Sequence, residues 1–510
     1  MTERHSPLRA TGADTVHDVA LVGCGPTGAT LANLLALRGL QVLVLEREAD
    51  IYRLPRAIHF DGESMRVFQT VGIADLMAPQ LIVSPGMRFL GVDGSVLIDW
   101  QRPTDVGPQG WHPSYRFHQP SLEHTLREQL AQHANVTLRL RHEVFALDEH
   151  ADHVAIRYED TASGRLHATA ARYVVGCDGA RSLVRRLMGT ELEDLRSHER
   201  WLVVDVLLKN DRPDLGDHSI QYCDPRRPAT YVRGVGTRRR WELMLMPHDD
   251  LNTITRPESV WALLAPWLSP DEAELERPAV YTFHSVVARG WRRGRLMIAG
   301  DAAHQTPPFM GQGMCAGIRD AANLAWKLAD VLQGVAPDSL LDTYESERSP
   351  HVREFIEAAV RFGRVIQTTD PEEARRRDAE MSANPQIFVT PQPPLGPGTH
   401  DGGEFGGRVG EQPRLGDGKR LDDAIGYRYA LLVAPALAGA ATEAMRAAAI
   451  DAERLAIVIA DSEPAQRWLA ALNAQAVLLR PDRYVAGVAS QAAEIARLLR
   501  SPCSSWAWPR

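Results

Sequence analysis

The chain has 510 residues, of which 44% are hydrophobic and 24% charged, and its formal net charge is −8 at pH 7. This is the composition of a globular protein with two or three domains, and the acidic balance argues against nucleic acid as a main partner. The five cysteines form no CxxC pair, and no run of about 18 apolar residues occurs. We therefore expect a cytoplasmic protein with no metal site, no disulfide framework and no membrane span.

The first motif lies between two short predicted strands, 17–22 and 41–45, and opens a predicted helix, 29–38. Its turn residues are Gly23, Gly25, Pro26, Thr27 and Gly28. A GxGxxG turn between strand and helix binds a dinucleotide pyrophosphate, and an acid about 20 residues later binds a ribose hydroxyl. Glu46, followed by Arg47, lies 18 residues after Gly28 (46 − 28). The sequence therefore predicts a Rossmann-like dinucleotide site.

Two later signals are weaker when each is taken alone. Arg56, soon after the ribose acid, could reach a pyrophosphate, although an arginine is more often a solvated surface charge. A predicted strand ends at Asp178-Gly179, which alone indicates only a turn. A basic helix start follows that turn, which favours a binding role.

The middle of the chain, 201–287, alternates in strand fashion and is interrupted by a predicted helix at 257–267. Residues 87–100 also have strand character. We expect an antiparallel sheet that forms a roof over a pocket.

The stretch 295–320 predicts a second binding element. Leu296 to Ala299 form a short apolar strand that ends at Gly300-Asp301, and Pro307 and Pro308 then force an extended turn. Gly311 and Gly313 leave the backbone bare before a predicted helix, 318–332. The free N–H groups of that helix favour a polyol phosphate and an electron-rich ring.

The last part of the chain predicts an appendage. A long helix at 342–364 is followed by a Pro- and Gly-rich stretch, 368–425, which we interpret as a surface linker. The order β-α-β-β-α in 426–510 resembles part of a thioredoxin fold. Because no CxxC pair is present, a role in packing or in a homodimer is favoured over a redox role.

Three motifs together resemble those of the single-component FAD-dependent aromatic hydroxylases, which include p-hydroxybenzoate hydroxylase. They are Gly23-x-Gly25-x-x-Gly28, Cys177-Asp178-Gly179-Ala-Arg181-Ser and Gly300-Asp301-Ala-Ala-His304. Pro55-Arg56-Ala-Ile, Cys223-Asp-Pro and Arg480-Pro-Asp-Arg-Tyr extend the similarity to the 3-(3-hydroxyphenyl)propionate and 3-hydroxycinnamate hydroxylases. This resemblance implies a discontinuous Rossmann-like FAD domain (1–84, 112–190 and 288–367) and an inserted antiparallel-sheet substrate domain (85–111 and 191–287). A linker (368–425) and a thioredoxin-like C-terminal domain (426–510) follow.

The resemblance also implies roles for individual residues around a non-covalent FAD. Glu46 would bind the adenosine ribose, Arg56 and Gln119 the pyrophosphate and ribityl region, and Asp301 a ribityl hydroxyl. The N–H groups of Gly313 and Met314 would face the flavin pyrimidine, and Asp178-Gly179 would serve FAD and NADH or NADPH. The full expected FAD set is Gly23, Gly25, Pro26, Thr27, Gly28, Glu46, Arg47, Arg56, Gln119, Asp178, Gly179, Gly300, Asp301, Pro308, Gly311, Gly313 and Met314.

The implied reaction is the ortho-hydroxylation of a phenolic acid to a catechol, with NADH or NADPH, O2 and a flavin C4a-hydroperoxide. The same chemistry on a larger fused aromatic, of polyketide type, and a flavin-binding protein without hydroxylase activity remain alternatives. Candidates for the substrate pocket are His59, Tyr222, Arg226, Arg227, Trp241, Met244, His304, Pro307 and Phe309. Either Arg226 or Arg227 could hold a carboxylate, or both could lie in solvent.

Overall fold

The computed structural model describes residues 16–53, 56–276 and 278–500. Within these ranges the chain forms four β-sheets, and helices pack against the first of them. Pro55, one of the residues that carry the resemblance, lies outside the described residues.

The nucleotide sheet has eight strands, and its five-stranded core is parallel. Residues 19–22 and 42–45 in its central strands are apolar runs buried on both faces, as is usual in a parallel sheet. Its strands are Val16–Val22, Val42–Glu46, Val136–Leu140, His142–Glu149, Val154–Asp160, Arg165–Gly176, Arg292–Arg293 and Leu296–Ile298.

The helices around this sheet include two long ones that follow its last strand, Gly313–Leu332 and Thr343–Ile366. The others in this part of the chain are Pro26–Leu37, Gly62–Val71, Ala74–Met77, Gln119–Leu130 and Leu183–Met188. Among the helices of the described residues, none is both long enough and apolar enough to span a membrane.

The roof sheet has ten strands, and most neighbours in it are antiparallel. Its strands are Gly86–Leu90, Val96–Gln101, Glu191–Leu208, Ser219–Tyr222, Ala229–Arg233, Arg238–Met244, Ala273–Leu275, Ala279–Arg289, His304–Gln305 and Gln386–Ile387. Side chains alternate between its two faces. The outward face carries Val204, Trp241 and Leu243, which pack against the helix Pro257–Leu264. The other face is turned toward the nucleotide sheet.

A third sheet of three short strands, His59–Asp61, Ile82–Val83 and Ser114–Arg116, lies where the two larger domains meet. It brings side chains that are far apart in sequence to one edge of the roof. His59 lies directly opposite Arg116 in this sheet.

The C-terminal unit has a four-stranded sheet of Tyr429–Val433, Leu455–Ile459, Ala476–Leu479 and Val485–Ala489. Its helices are Ala438–Ala447, Glu463–Ala471 and Ala492–Arg500. The helix Glu463–Ala471, which Ser462 caps, is absent from the sequence-based order and makes it β-α-β-α-β-β-α. The stretch expected as a linker contains the helices Pro371–Ala383 and Leu421–Ile425; Asp370 caps the first, as its Asp-Pro start would favour.

A buried cluster of charges joins the C-terminal unit to the two long helices. We call it the C-terminal seam: Lys327, Glu347, Arg480 and Asp482. Glu347 accepts hydrogen bonds from Lys327 Nζ at 2.8 Å and from Arg480 Nη1 at 2.9 Å, and Arg480 Nε donates to Asp482 Oδ1 at 3.0 Å. These side chains are at most 1% exposed. Although burial opposes it, the two cations lower the pKa of Glu347.

Candidate active site

A cavity of about 1340 Å³ lies between the nucleotide sheet and the roof sheet. Pockets for drug-sized ligands have volumes of about 300–1,000 Å³, so this cavity has room for a large cofactor and a small substrate together. Its lining includes these residues of the expected FAD set: Gly23, Gly25, Pro26, Thr27, Glu46, Arg47, Arg56, Gln119, Asp178, Gly179, Asp301, Pro308, Gly311, Gly313 and Met314.

Gly28 and Gly300 lie behind this lining, where backbone and neighbouring residues pack closely. A Cβ on Gly28 would lie 2.2 Å from the carbonyl oxygen of Gly23, and a Cβ on Gly300 would lie 2.7 Å from Thr27 Oγ1. Gly300 also has a φ of 62°, which a residue with a side chain adopts only with strain. A side chain at Gly28 would therefore disrupt the first turn, and one at Gly300 would push the third motif away from Thr27 of the first motif.

Glu46 closes the fingerprint turn from the end of the second strand. Its Oε2 accepts a hydrogen bond from the Cys24 N–H at 2.7 Å, and its Oε1 accepts one from the Glu48 N–H at 2.9 Å. Each carboxylate oxygen has a further lone pair, so the carboxylate can also accept a ribose hydroxyl.

Gln119 orders the loop that presents Arg56. Its Oε1 accepts hydrogen bonds from the N–H groups of Arg56 at 2.9 Å and Ala57 at 2.6 Å, and its Nε2 donates to Glu123 at 2.7 Å. The exposed Arg56 guanidinium lies 5.3 Å from the centre of the Tyr52 ring. Gln119 thus positions the loop, while Arg56 supplies a cation at the cavity.

Two helix N-termini point at the cavity. A Cβ on Gly25, the N-cap of the helix Pro26–Leu37, would meet no atom within 4 Å, so the bare backbone opens onto the space. Gly313 and Met314 begin the 20-residue helix Gly313–Leu332, whose N-cap makes no side-chain cap hydrogen bond. The first N–H groups of a helix lack partners within it and favour negative charge. These features fit the diphosphate and the ring of FAD.

Asp178 and His304 stabilise backbone segments next to the cavity, Asp178 directly and His304 through Asp320. Asp178 Oδ2 accepts hydrogen bonds from the N–H groups of Leu183 at 2.7 Å and Val184 at 3.2 Å, and thus holds the start of that helix. His304 is buried behind the lining, where its Nε2 lies 2.6 Å from Asp320 Oδ2. Asp320 Oδ2 also accepts from the Gly300 N–H at 3.0 Å, so His304 supports the Gly300 turn.

His59 lies in the lining beside the Pro-rich turn. Its Nδ1 is 3.1 Å from the Gly311 carbonyl oxygen, and its Nε2 is 2.5 Å from Arg102 Nη1 and 2.9 Å from Ser114 Oγ. Burial, reinforced by Arg102, lowers the pKa of His59 to about 3, so the imidazole is neutral. A neutral ring between these partners donates through Nδ1 to Gly311 and accepts at Nε2.

Arg102 is a cation at one edge of the cavity. Its Nη1 donates to Ser114 Oγ at 2.7 Å, and the guanidinium lies 4.4 Å from the centre of the Trp100 ring. Its Nε and Nη2 donate to no described residue and remain accessible. Burial lowers the pKa of Arg102 to about 10, which leaves it charged at neutral pH.

Polar side chains on the inward face of the roof form what we call the polar wall: Asp205, Gln221, Thr230, Arg240 and Glu242. Asp205 binds Arg240 through two contacts of 2.8 Å, and Thr230 Oγ1 donates to Gln221 Oε1 at 2.6 Å. Glu242 is paired across the sheet with Thr230 and with Val203. Its carboxylate accepts no hydrogen bond from any described residue and lies 3.9 Å from Arg240 Nη1.

Arg226 and Arg227 lie on the outer surface and not in the cavity lining. Arg226, whose side chain is 81% exposed, contacts Asp224 at 2.6 Å. Arg227 contacts Asp249 at 2.7 Å and 2.9 Å. Both guanidiniums are thus engaged on surface turns, which corrects the expectation that one of them holds a substrate carboxylate.

Most of the other pocket candidates are also placed elsewhere. Tyr222 and Trp241 belong to the outward face of the roof and pack around Trp267, because they alternate with the inward-facing Gln221 and Glu242. Phe309 is buried against Trp201 at 5.6 Å. Met244 packs against the hydrophobic cluster that contains Phe309 and Trp201. Neither Met244 nor Pro307 lines the cavity.

Arg102 and the polar wall were not among the residues predicted from the sequence, although the alternation of side chains in one strand indicates the wall. In Arg239-Arg240-Trp241-Glu242-Leu243, the apolar residues at alternate positions imply that Arg240 and Glu242 share the opposite face. Arg102 lies beyond the end of a strand, and its approach to His59 depends on the third sheet. No local pattern indicates that contact.

The family model for the FAD binding domain matches residues 16–359, and that for the HcaD C-terminal domain matches 407–502. The chain is 40% identical over 503 residues to a probable NADH-specific resorcinol 4-hydroxylase of Rhodococcus jostii RHA1, covering 95% of this chain and 94% of the relative. It is 38% identical over 434 residues to 3-(3-hydroxy-phenyl)propionate/3-hydroxycinnamic acid hydroxylase 2 of Burkholderia vietnamiensis G4, covering 81% and 78%. The flavin-dependent monooxygenase PieE, solved with FAD and substrate, has a TM-score of 0.83 at 23% identity, covering 96% of this chain and 98% of PieE.

Proposed function

The chain belongs to the FAD binding domain family and is an FAD-dependent aromatic hydroxylase, and from this premise we propose that it ortho-hydroxylates a small phenol with an acidic meta substituent. The family and the mixed α/β fold class that the three motifs predicted are confirmed. FAD as the cofactor is confirmed as well. The product of the proposed reaction is a catechol.

The observation that supports an acidic substituent is the position of Arg102 in the cavity. It is a charged guanidinium with two accessible nitrogens, beside a neutral His59 and away from the polar wall. Arginine binds a carboxylate through two parallel hydrogen bonds, which fixes the orientation of the ligand as well as its position. Arg102 thereby takes the part that the sequence suggested for Arg226 or Arg227.

The residues of the cavity support the reaction in three ways. FAD, when bound, supplies the redox chemistry with NADH or NADPH and O2. The glycine turns and helix N-termini would hold the cofactor, and the Gly313 and Met314 N–H groups would favour negative charge on its ring. Val203, Phe283 and Met310 line the cavity and exclude water, which protects a reactive oxygen species from wasteful decay.

A second candidate substrate is a neutral dihydroxybenzene. It is favoured by the relative from Rhodococcus jostii, whose name includes resorcinol and whose 40% identity extends over 95% of this chain. A larger fused aromatic has less support, because the similarity to PieE, at 23% identity, concerns the fold alone.

Substrate-stimulated NADH oxidation and product analysis test the proposal. We expect the FAD-loaded enzyme to convert 3-(3-hydroxyphenyl)propionate to a catechol more efficiently than its methyl ester. Arg102→Met should raise KM for the acid about 10- to 100-fold, the loss of one charged hydrogen-bonding contact, and leave KM for the ester nearly unchanged. Arg226→Met is the matched control, since it makes the same change on the surface.

Two results would contradict the proposal. If resorcinol stimulates NADH oxidation and the acid does not, the dihydroxybenzene takes its place. If Arg102→Met affects acid and ester equally, Arg102 does not bind the carboxylate.

A further inference from the structure

Glu242 differs from the other members of the polar wall because its charge is not matched by a hydrogen bond. Arg240 uses its guanidinium on Asp205, in two contacts of 2.8 Å, and on the Arg56 carbonyl oxygen at 2.9 Å. The Thr230 hydroxyl donates to Gln221 and not to Glu242. The Glu242 carboxylate therefore has unused acceptor sites that are accessible in the cavity.

Burial of the ionised Glu242 carboxylate costs free energy unless a ligand donates a hydrogen bond to it. Glu242 is 8% exposed, and a buried carboxylate without a donor loses most of its hydration. Burial accordingly raises the pKa of Glu242, and nearby Asp205 adds to the rise against the opposing effect of Arg240. A ligand with an O–H group directed at Glu242 would supply the missing hydrogen bond.

We propose that Glu242 is the catalytic base that takes the proton from the phenolic hydroxyl of the substrate. This inference rests on the proposed function. In the step, the phenol O–H bond breaks, the proton goes to a carboxylate oxygen of Glu242, and the electron pair stays on the phenolate oxygen. No electrons are transferred. The phenolate releases electron density into the ring and so activates its ortho carbon for hydroxylation.

Glu242 and Arg102 both line the cavity but come from different strands of the roof, as two contacts for a substrate with two polar ends require. Glu242 is on the strand Arg238–Met244, and Arg102 follows the strand Val96–Gln101, with three strands of the roof between them. The proposal requires that a phenol held by its carboxylate at Arg102 directs its hydroxyl toward the wall. A dihydroxybenzene would present a hydroxyl to the same carboxylate.

The groups that face Glu242 determine the direction of the pH effect. They are Arg240 on its own strand and Asp205 on the neighbouring strand Glu191–Leu208. Tyr281, on the strand after that, also lines the cavity. Only an ionised Glu242 can accept the proton. kcat/KM should therefore fall as the pH decreases through the raised pKa of Glu242. We call this fall the acid-side limb of the pH profile.

The test compares wild-type holoenzyme with Glu242→Gln, on whichever of 3-(3-hydroxyphenyl)propionate and resorcinol the wild type converts. Ring-fluorinated analogues of that substrate, whose phenol groups are more acidic, are assayed with both proteins. Glu242→Gln should lower kcat/KM about 100-fold, within the usual range for a lost general base, and should lose the acid-side limb. The loss should shrink as the phenol becomes more acidic, because such a phenol needs less help to ionise.

Glu274→Gln, an exposed change on the outer edge of the roof, is the control. It should change neither the dependence of kcat/KM on pH nor its dependence on the acidity of the phenol. Glu242→Asp keeps the carboxylate and should keep the limb, so it decides the point if the glutamine variant does not hold FAD. A retained limb in Glu242→Gln, or an equal loss for all phenols, would overturn the inference. A wild type that converts no phenol would instead refute the proposed function.

Discussion

The C-terminal seam and the polar wall both bury charged side chains, but they do so in opposite ways. In the seam, Glu347 accepts hydrogen bonds from Lys327, Arg480 and Asn323 as well as from the Thr399 hydroxyl. In the wall, Glu242 accepts none from the described residues. The two carboxyl groups accordingly have pKa values shifted in opposite directions, that of Glu347 downward and that of Glu242 upward.

The number of hydrogen bonds that a buried carboxylate accepts from the protein thus distinguishes charges that stabilise the fold from charges that can bind a ligand. A buried ion with every hydrogen-bonding site filled is held by its neighbours, and the removal of one partner exposes the cost of burying the other. A buried ion with an unfilled site already bears that cost in the folded protein. Substitution of a charge that holds the fold should therefore lower stability, whereas substitution of a charge that binds a ligand should mainly affect binding or catalysis.

Arg480→Met should give the largest loss of stability. It leaves Glu347 and Asp482 buried with fewer partners, and breaking such a network typically costs about 3–5 kcal/mol. Chemical denaturation of the holoenzyme measures the free energy of unfolding. Arg467→Met is the matched control in the same unit: its exposed pair with Glu463, at 3.6 Å, should contribute less than about 1 kcal/mol. Equal losses in the two variants would contradict the contrast.

Asp301→Ala should mainly weaken the binding of FAD. Asp301 lines the cavity at the end of a nucleotide-sheet strand, where the family resemblance implies a contact with a ribityl hydroxyl. The loss of a hydrogen bond to a charged group, about 1.5–3 kcal/mol, corresponds to a roughly 10- to 150-fold higher Kd for FAD. Fluorescence titration of the apoprotein measures this Kd. If Asp301→Ala binds FAD as tightly as the wild type, the ribityl assignment is wrong.

Glu242→Gln should have the smallest effect on stability, and its sign should be opposite to that of Arg480→Met. Because the folded-state pKa of Glu242 is raised, the folded protein holds a proton that the unfolded chain has released, and wild-type stability falls as the pH rises through that interval. Glutamine does not titrate, so above the interval the variant should be as stable as the wild type or about 1 kcal/mol more stable. Thermal unfolding at several pH values measures this. A variant that is less stable than wild type at every pH would place Glu242 with the structural charges.

The FAD part of the site could be predicted from the sequence because its chemistry depends on local backbone. Gly23, Gly25 and Gly28 must follow a strand and open a helix, and the turn before Gly313 must leave helix N–H groups bare. Such requirements appear as spacing along one stretch of chain. Fold class follows similarly, from apolar runs such as Val42–Glu46 and from alternation in the roof strands.

The substrate side could not be predicted in the same way, because it depends on contacts across the whole chain. Arg102 meets His59 only through the third sheet, and Glu242 has an unfilled acceptor only because Arg240 is engaged by Asp205. The assignment of Arg226 and Arg227 to a carboxylate followed residue type alone, whereas each is engaged outside the cavity, by Asp224 and by Asp249 respectively.

The C-terminal seam also determines when the buried charge of Glu347 can find its partners during protein synthesis. Glu347 and Arg480 are 133 residues apart in the chain. At roughly 5–20 residues per second, about 7–27 s pass between the synthesis of the first and that of the second. During this delay the helix Thr343–Ile366 carries a carboxylate destined for the interior without its main cation. Glu347 can therefore complete its buried hydrogen bonds only after Arg480 has been synthesised, and we expect a product that ends before Arg480 to leave Glu347 with fewer partners.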